Sequence, residues 1–277
     1  MGAGVALGLG VAGLAVGFIA GLIGIGGGVL MVPLLYAFYE RPGWAGALLP
    51  PELAPVVAHA TSLFVIVPTA IKGVISYQRA KLVPWRVALP VALAATFAAV
   101  LGARLALELP GPALKLAFGL LVVASGVQIG VGRGRPQDRP LRAGLPTLSG
   151  IGLVVGLTSA LLGVGGGVVA IPLLTNVVGL DLQRVTATSL SIMAFASLAG
   201  TATYIAGGLG VDGLPPGNLG YVHLWAALPL VAGSLLAVGW GARLNRRLPV
   251  RKLRWVFAVA FILIGMRLVV QNARVMF

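Results

Sequence analysis

Polar residues in this chain are few and fall in clusters, and the stretches between the clusters are long and apolar. Four such stretches lie in the first half, near residues 4–38, 55–77, 84–107 and 113–131. Four more lie near residues 145–179, 185–208, 222–246 and 251–272. A helix crossing a bilayer takes about 20 apolar residues, so each stretch predicts membrane-embedded helix. Two of them are too long for one crossing: residues 1–39 and 143–180 contain no Asp, Glu, Lys, Arg or His. Each carries a cluster of three adjacent glycines. That pattern predicts a long helix, a tight glycine turn and a shorter returning helix. Broken backbone at membrane depth is tolerated only where protein or a cavity covers it.

The two glycine-broken stretches are copies of one another. Gly17–Leu35 reads GFIAGLIGIGGGVLMVPLL and Gly156–Leu174 reads GLTSALLGVGGGVVAIPLL, with ten of 19 positions identical. The likeness continues through Ala60–Leu63 and Ala187–Leu190 (both ATSL), and through Leu89-Pro90 and Leu228-Pro229. It extends to Gly102–Leu105 and Gly241–Leu244 (both GARL), with Phe118 and Gly126 matching Phe257 and Gly265. Most pairs are 139 residues apart, and the ATSL pair is 127 apart because the first half has a longer loop at Glu40–Pro55. The second half regains the difference at Asp212–His223. The expected organisation is a first membrane repeat at 1–132, a polar junction at 133–143 and a second membrane repeat at 144–277.

Composition agrees with a membrane setting. Hydrophobic residues make up 58% of the chain and charged ones 9%, against about a quarter charged in soluble domains. The absence of cysteine excludes disulfides, thiolate chemistry and Cys-ligated metals. The net charge of +14 suggests nucleic acid at first sight. No basic run interleaves with aromatics as in a nucleic-acid module, and cytoplasmic loops of membrane proteins collect Lys and Arg. Charge placement bears on topology. If every stretch crosses once, each side receives ten Lys/Arg. If the two glycine-broken stretches return to their own side, the split is 15 to five. The second arrangement obeys the positive-inside rule. It makes three net crossings per half, so the halves are inverted repeats, with both termini outside and the junction in the cytoplasm. The parallel arrangement remains the alternative.

Within this all-α polytopic fold, candidate chemistry concentrates at the repeated motifs. Gly26, Gly27, Gly28 and Gly165, Gly166, Gly167 can bring backbone N–H groups close to a ligand, because no Cβ intervenes. Each triplet precedes a helical stretch, and the positive start of a helix favours an anion. Glycine-broken segments at matching positions in two halves point to the midplane site of a secondary transporter. The earlier glycines Gly13, Gly17, Gly21, Gly152 and Gly156 have the spacing of close helix packing instead. Thr61, Ser62, Thr188 and Ser189 place hydroxyls inside apolar helices, where they either donate to an anion or bond the carbonyl four residues back. His59 precedes the first ATSL, and its counterpart is Thr186. It is a candidate for proton coupling, or it meets water near a helix end. Tyr77 and Tyr204 recur at equivalent positions and read as interfacial tyrosines. The six acids all fall at predicted ends or loops, so no buried carboxylate relay is visible.

At the twin G-x-G-G-G-x(4)-P segments, each followed by A-T-S-L, the chain resembles the sulfite exporter TauE/SafE permeases, also called toluene-sulfonate uptake permeases. The residues that carry the likeness are Gly24, Gly26–Gly28 and Pro33, then Gly163, Gly165–Gly167 and Pro172. The resemblance implies a bacterial inner-membrane permease or exporter moving sulfite, a sulfonate, sulfoacetate or a related small anion. The residues themselves imply a duplicated secondary transporter with an anion site and no cofactor or metal. Its expected partners are a small anion and the lipid bilayer, and oligomeric state is left open. A cation-coupled or other small-solute carrier, with a site made of glycine-turn carbonyls, is the alternative, as is an anion channel. An intramembrane enzyme finds no support, since Cys, a His/Asp pair within a helix and G-x-S-x-G are all missing.

Overall fold

The structure, a computed structural model, describes residues 2–40, 49–50, 52–131, 143–245 and 251–276. The junction expected at 133–143 and most of the loop at Glu40–Pro55 lie outside the described residues. The first half comprises α1 (Ala3–Ile23), α2 (Gly28–Tyr39), α3 (Leu53–Arg79), α4 (Trp85–Glu108) and α5 (Gly111–Val131). The second comprises α6 (Leu145–Leu162), α7 (Gly167–Leu173), α8 (Leu182–Gly207), α9 (Leu224–Asn245) and α10 (Arg251–Met276). A π-helical turn, Leu174–Val178, prolongs α7 and ends at Gly179 in the left-handed conformation. A two-residue hairpin, β1 (Asn218–Leu219) and β2 (Val222–His223), leads into α9. Among the described residues, seven helices are long and apolar enough to cross a membrane, and the protein is a multi-pass α-helical membrane protein.

The helices sort their side chains by size. Along α4, Ala88, Ala92, Ala95, Ala99, Ala103 and Ala106 are buried, while Leu93, Phe97, Leu101 and Leu105 face outward. Lipid is as apolar as leucine, so helices associate in it through small residues that let backbones approach. The outward leucines and phenylalanine suit hydrocarbon.

The glycines read as packing residues do pack, and they pack between halves. Gly13, Gly17 and Gly21 of α1 lie against Leu230, Ser234 and Val238 of α9, and a Cβ at any of them would overlap α9 backbone. In the same way Gly152 and Gly156 of α6 lie against Val91 and Ala95 of α4. Each broken helix therefore runs parallel to a helix of the opposite half. The equivalent helices α3 and α8 cross antiparallel, since Gly73 meets Leu190 and Gly200 meets Leu63. So do α5 and α10, where Gly119 meets Leu268 and Gly126 meets Ile262. The halves are interleaved around one interior.

Tyr77 and Tyr204 depart from the interfacial placement their type suggests. Both are fully buried. The Tyr77 hydroxyl donates to Gly21 O at 3.0 Å, and the Tyr204 hydroxyl to Ala160 O at 2.9 Å. These are equivalent bonds, each tying α3 or α8 to the broken helix beside it.

Candidate functional site: the crossing of two glycine turns

Helix α1 ends where Gly24 turns left-handed at φ 77°, and α2 starts after Gly26 and Gly27, at φ 86° and 65°. The second half repeats this at Gly163, Gly165 and Gly166, with φ of 66°, 80° and 84°. These positive angles reverse the chain within a few residues, and side chains other than glycine adopt them at a cost. The third glycine of each triplet has a different reason to be glycine. A Cβ on Gly28 would sit 2.6 Å from Val164 O, and one on Gly167 would sit 2.6 Å from Gly24 O. The two turns thus touch backbone to backbone. Met193 of α8 packs on Gly26, and Ile66 of α3 packs on Gly165. Ile66 and Met193 are equivalent residues near the middles of α3 and α8, so the turns cross at mid-depth of the bundle.

The ATSL hydroxyls reach across the crossing. Ser62 Oγ donates to Gly163 O at 2.8 Å, and Ser189 Oγ donates to Gly24 O at 2.8 Å. This is not the bond to the carbonyl four residues back: each serine caps the carbonyl end of the opposite half's broken helix. A helix leaves its last four carbonyls unpaired and ends in partial negative charge. The serines offset that charge where α2 and α7 begin with their N–H ends. Thr186 adds a bond to Ile23 O at 3.2 Å.

The two threonines differ. Thr61 Oγ1 accepts from the His223 backbone N–H at 3.0 Å and lies 3.5 Å from the Tyr39 hydroxyl. Thr188 Oγ1 is buried and has no hydrogen-bond partner. His59 is not at water; it is fully buried, with Nε2 hydrogen-bonded to the Tyr36 hydroxyl. Its Cα would lie 2.6 Å from a Cβ placed on Gly163, so it abuts the second turn. Lys115 pairs with Glu40 at 2.9 Å and stands 5.4 Å from the centre of the Tyr36 ring.

Sequence reasoning missed Tyr36, Tyr39 and His223. His223 Nδ1 lies 3.3 Å from the Tyr39 hydroxyl, and burial pushes its imidazole down to about 4. The available signal was scarcity, for the chain has two histidines. Nothing in the spacing says that one borders the other's motif from 164 positions away. Among the described residues no group of three or more His, Cys, Asp or Glu could hold a metal.

Residues 9–268 match the family described as Sulfite exporter TauE/SafE. A Haemophilus influenzae protein named as a probable membrane transporter protein is 28% identical over 258 residues, covering 91% of this chain and 93% of its own. The probable membrane transporter protein YunE of Bacillus subtilis is 24% identical over 280 residues, covering 95% and 96%. A probable membrane transporter protein of Methanocaldococcus jannaschii is 24% identical over 245 residues, covering 88% of each chain. No solved structure matches. With two interleaved halves, twin glycine turns and a family match over nearly its whole length, this chain belongs to the sulfite exporter TauE/SafE family of membrane transporters.

Proposed function

We propose that the protein carries a small sulfur oxyanion, of the sulfite or sulfonate kind, across the bacterial inner membrane by alternating access. The observation that carries this reading is the mid-depth crossing of the two glycine turns, with both carbonyl ends capped by serine hydroxyls. The capping offsets the carbonyl charge and leaves the positive starts of α2 and α7 facing the turns, which favours an anion, although the Gly28 N–H itself donates to Gly26 O at 2.7 Å. It also weakens the cation alternative, because Gly24 O and Gly163 O already accept hydrogen bonds. The turns are closely packed, so the anion binds when the halves rock apart, with Ser62, Thr188 and Ser189 bordering the site, Thr61 held by the hairpin, and His59 beside the site for any proton coupling. The antiparallel crossing of α3 with α8, and of α5 with α10, supports inverted halves. The 15 to five division of Lys and Arg supports termini outside and the junction in the cytoplasm.

Reconstitution tests the reading. Proteoliposomes loaded with unlabelled sulfite are expected to take up radiolabelled sulfite by saturable counterflow, and loading with other sulfur oxyanions or carboxylates ranks the substrates. Flux that does not saturate, or that no internal anion accelerates, contradicts a carrier and points to a channel.

A further inference from the structure

The repeat makes the four ATSL hydroxyls two equivalent pairs, and only one pair has kept a common role. Ser62 and Ser189 make the same bond at the same length. Thr61 and Thr188 have diverged, and the reason is readable in their surroundings. Thr61 is satisfied by the His223 backbone N–H at 3.0 Å, with the Tyr39 hydroxyl 3.5 Å away. His223 ends the Asp212–His223 insertion, which the first half lacks, so no equivalent residue stands against Thr188. The position equivalent to Tyr39 is Val178, which has no hydroxyl. Thr188 therefore has no counterpart of either group that lies against Thr61. Thr188 is fully buried and bonded to nothing. On the same helix Ser191 and Thr203 donate to the carbonyl four residues back, each at 2.9 Å, and Thr188 does not. It directly precedes Ser189, whose hydroxyl sits on the first glycine turn. A buried hydroxyl without a partner is rare and costly unless something else meets it.

We propose that the equivalent threonines have divided their roles: Thr61 fastens the Asn218–His223 hairpin to the first half, and Thr188 presents its hydroxyl to the transported anion. This rests on the carrier reading above and narrows the hydroxyl that touches substrate to one side of the pseudo-symmetric site. The Ser159 hydroxyl, beside Gly166, is also unpartnered, and so are those of Ser197 and Thr201, which lie one and two turns beyond Met193 along α8, away from the ATSL contact. Ser197 and Thr201 serve as controls.

The test measures radiolabelled sulfite affinity and melting temperature on the purified full chain. Thr188→Val keeps the shape and removes the donor. Losing one hydrogen bond to a charged group is expected to weaken sulfite binding about 10- to 100-fold. The melting temperature is expected to hold or rise, because an unpaired polar group leaves the interior. Thr188→Ser restores the donor and is expected to bind as the native protein does. Thr61→Val is expected to do the reverse, lowering the melting temperature and leaving affinity unchanged. Ser197→Ala and Thr201→Val are expected to bind normally. Normal sulfite affinity in Thr188→Val overturns the division, as does an equal loss in both threonine variants. Native protein that neither binds nor exchanges sulfite overturns the carrier reading itself.

Discussion

At the scale of single residues, the glycines of the crossing are required for two separable reasons. Gly26, Gly27, Gly165 and Gly166 hold positive φ, whereas Gly28 and Gly167 do not and are glycine for lack of room. Gly28→Ala and Gly167→Ala are each expected to destabilise the protein by about 1–3 kcal/mol through overpacking against backbone that cannot give way. Gly8→Ala is the control. Nothing lies within 4 Å of a Cβ there, so it is expected to be neutral or to stabilise by about 0.4–1 kcal/mol. Thermal melts of the three variants in one detergent distinguish them, and equal shifts would remove the packing argument. Ser62→Ala and Ser189→Ala each uncover one carbonyl. Their equivalent bonds predict similar losses of about 0.6–1.7 kcal/mol. A large difference between the two would show that the repeat is not equivalent here.

At the scale of elements, the lengths and order of the helices were legible because most charge lies near their ends, with Lys72 and Arg267 farther inside α3 and α10. The glycine turns were legible because triplets of glycine inside an apolar run have few other uses. What sequence did not supply was partner choice. ATSL promised hydroxyls in a helix, but Ser62 bonds Gly163, 101 positions on, and no local rule gives that contact. Nor did spacing show that the Asp212–His223 insertion folds back as a hairpin onto Thr61. The hairpin gives a pH prediction. His223 protonates near 6.5 in the unfolded chain and near 4 in the folded protein, because burial disfavours its charged form. Between those values the unfolded state binds more protons, so stability rises with pH through this window and levels off above 6.5. His223→Gln is expected to flatten part of that rise. Melts taken from pH 4 to 6.5 measure it, and an unchanged slope would place the titration elsewhere.

At the scale of the whole molecule, duplication has produced an interleaved protein, since each broken helix packs on the opposite half. In the proposed alternating access, any rocking of one half against the other would have to shift the α1–α9, α4–α6, α3–α8 and α5–α10 contacts as well as the two turns. The inverted arrangement requires Gln137 and Asp212 to face opposite sides of the membrane. Single cysteines at these positions, in a chain that has none of its own, are expected to react with an impermeant thiol reagent from opposite faces of sealed vesicles. Reaction from one face would restore the parallel arrangement. In the proposed carrier the anion is held where the glycine turns cross and is reached from either side in turn. Ile66→Cys and Met193→Cys each place one thiol against the opposite half's turn. The most direct measurement is the rate at which an impermeant reagent modifies each thiol from each face, with and without sulfite. Alternating access to the crossing predicts reaction from both faces, slowed by sulfite and not by chloride. Access from one face alone, or rates indifferent to sulfite, would contradict it.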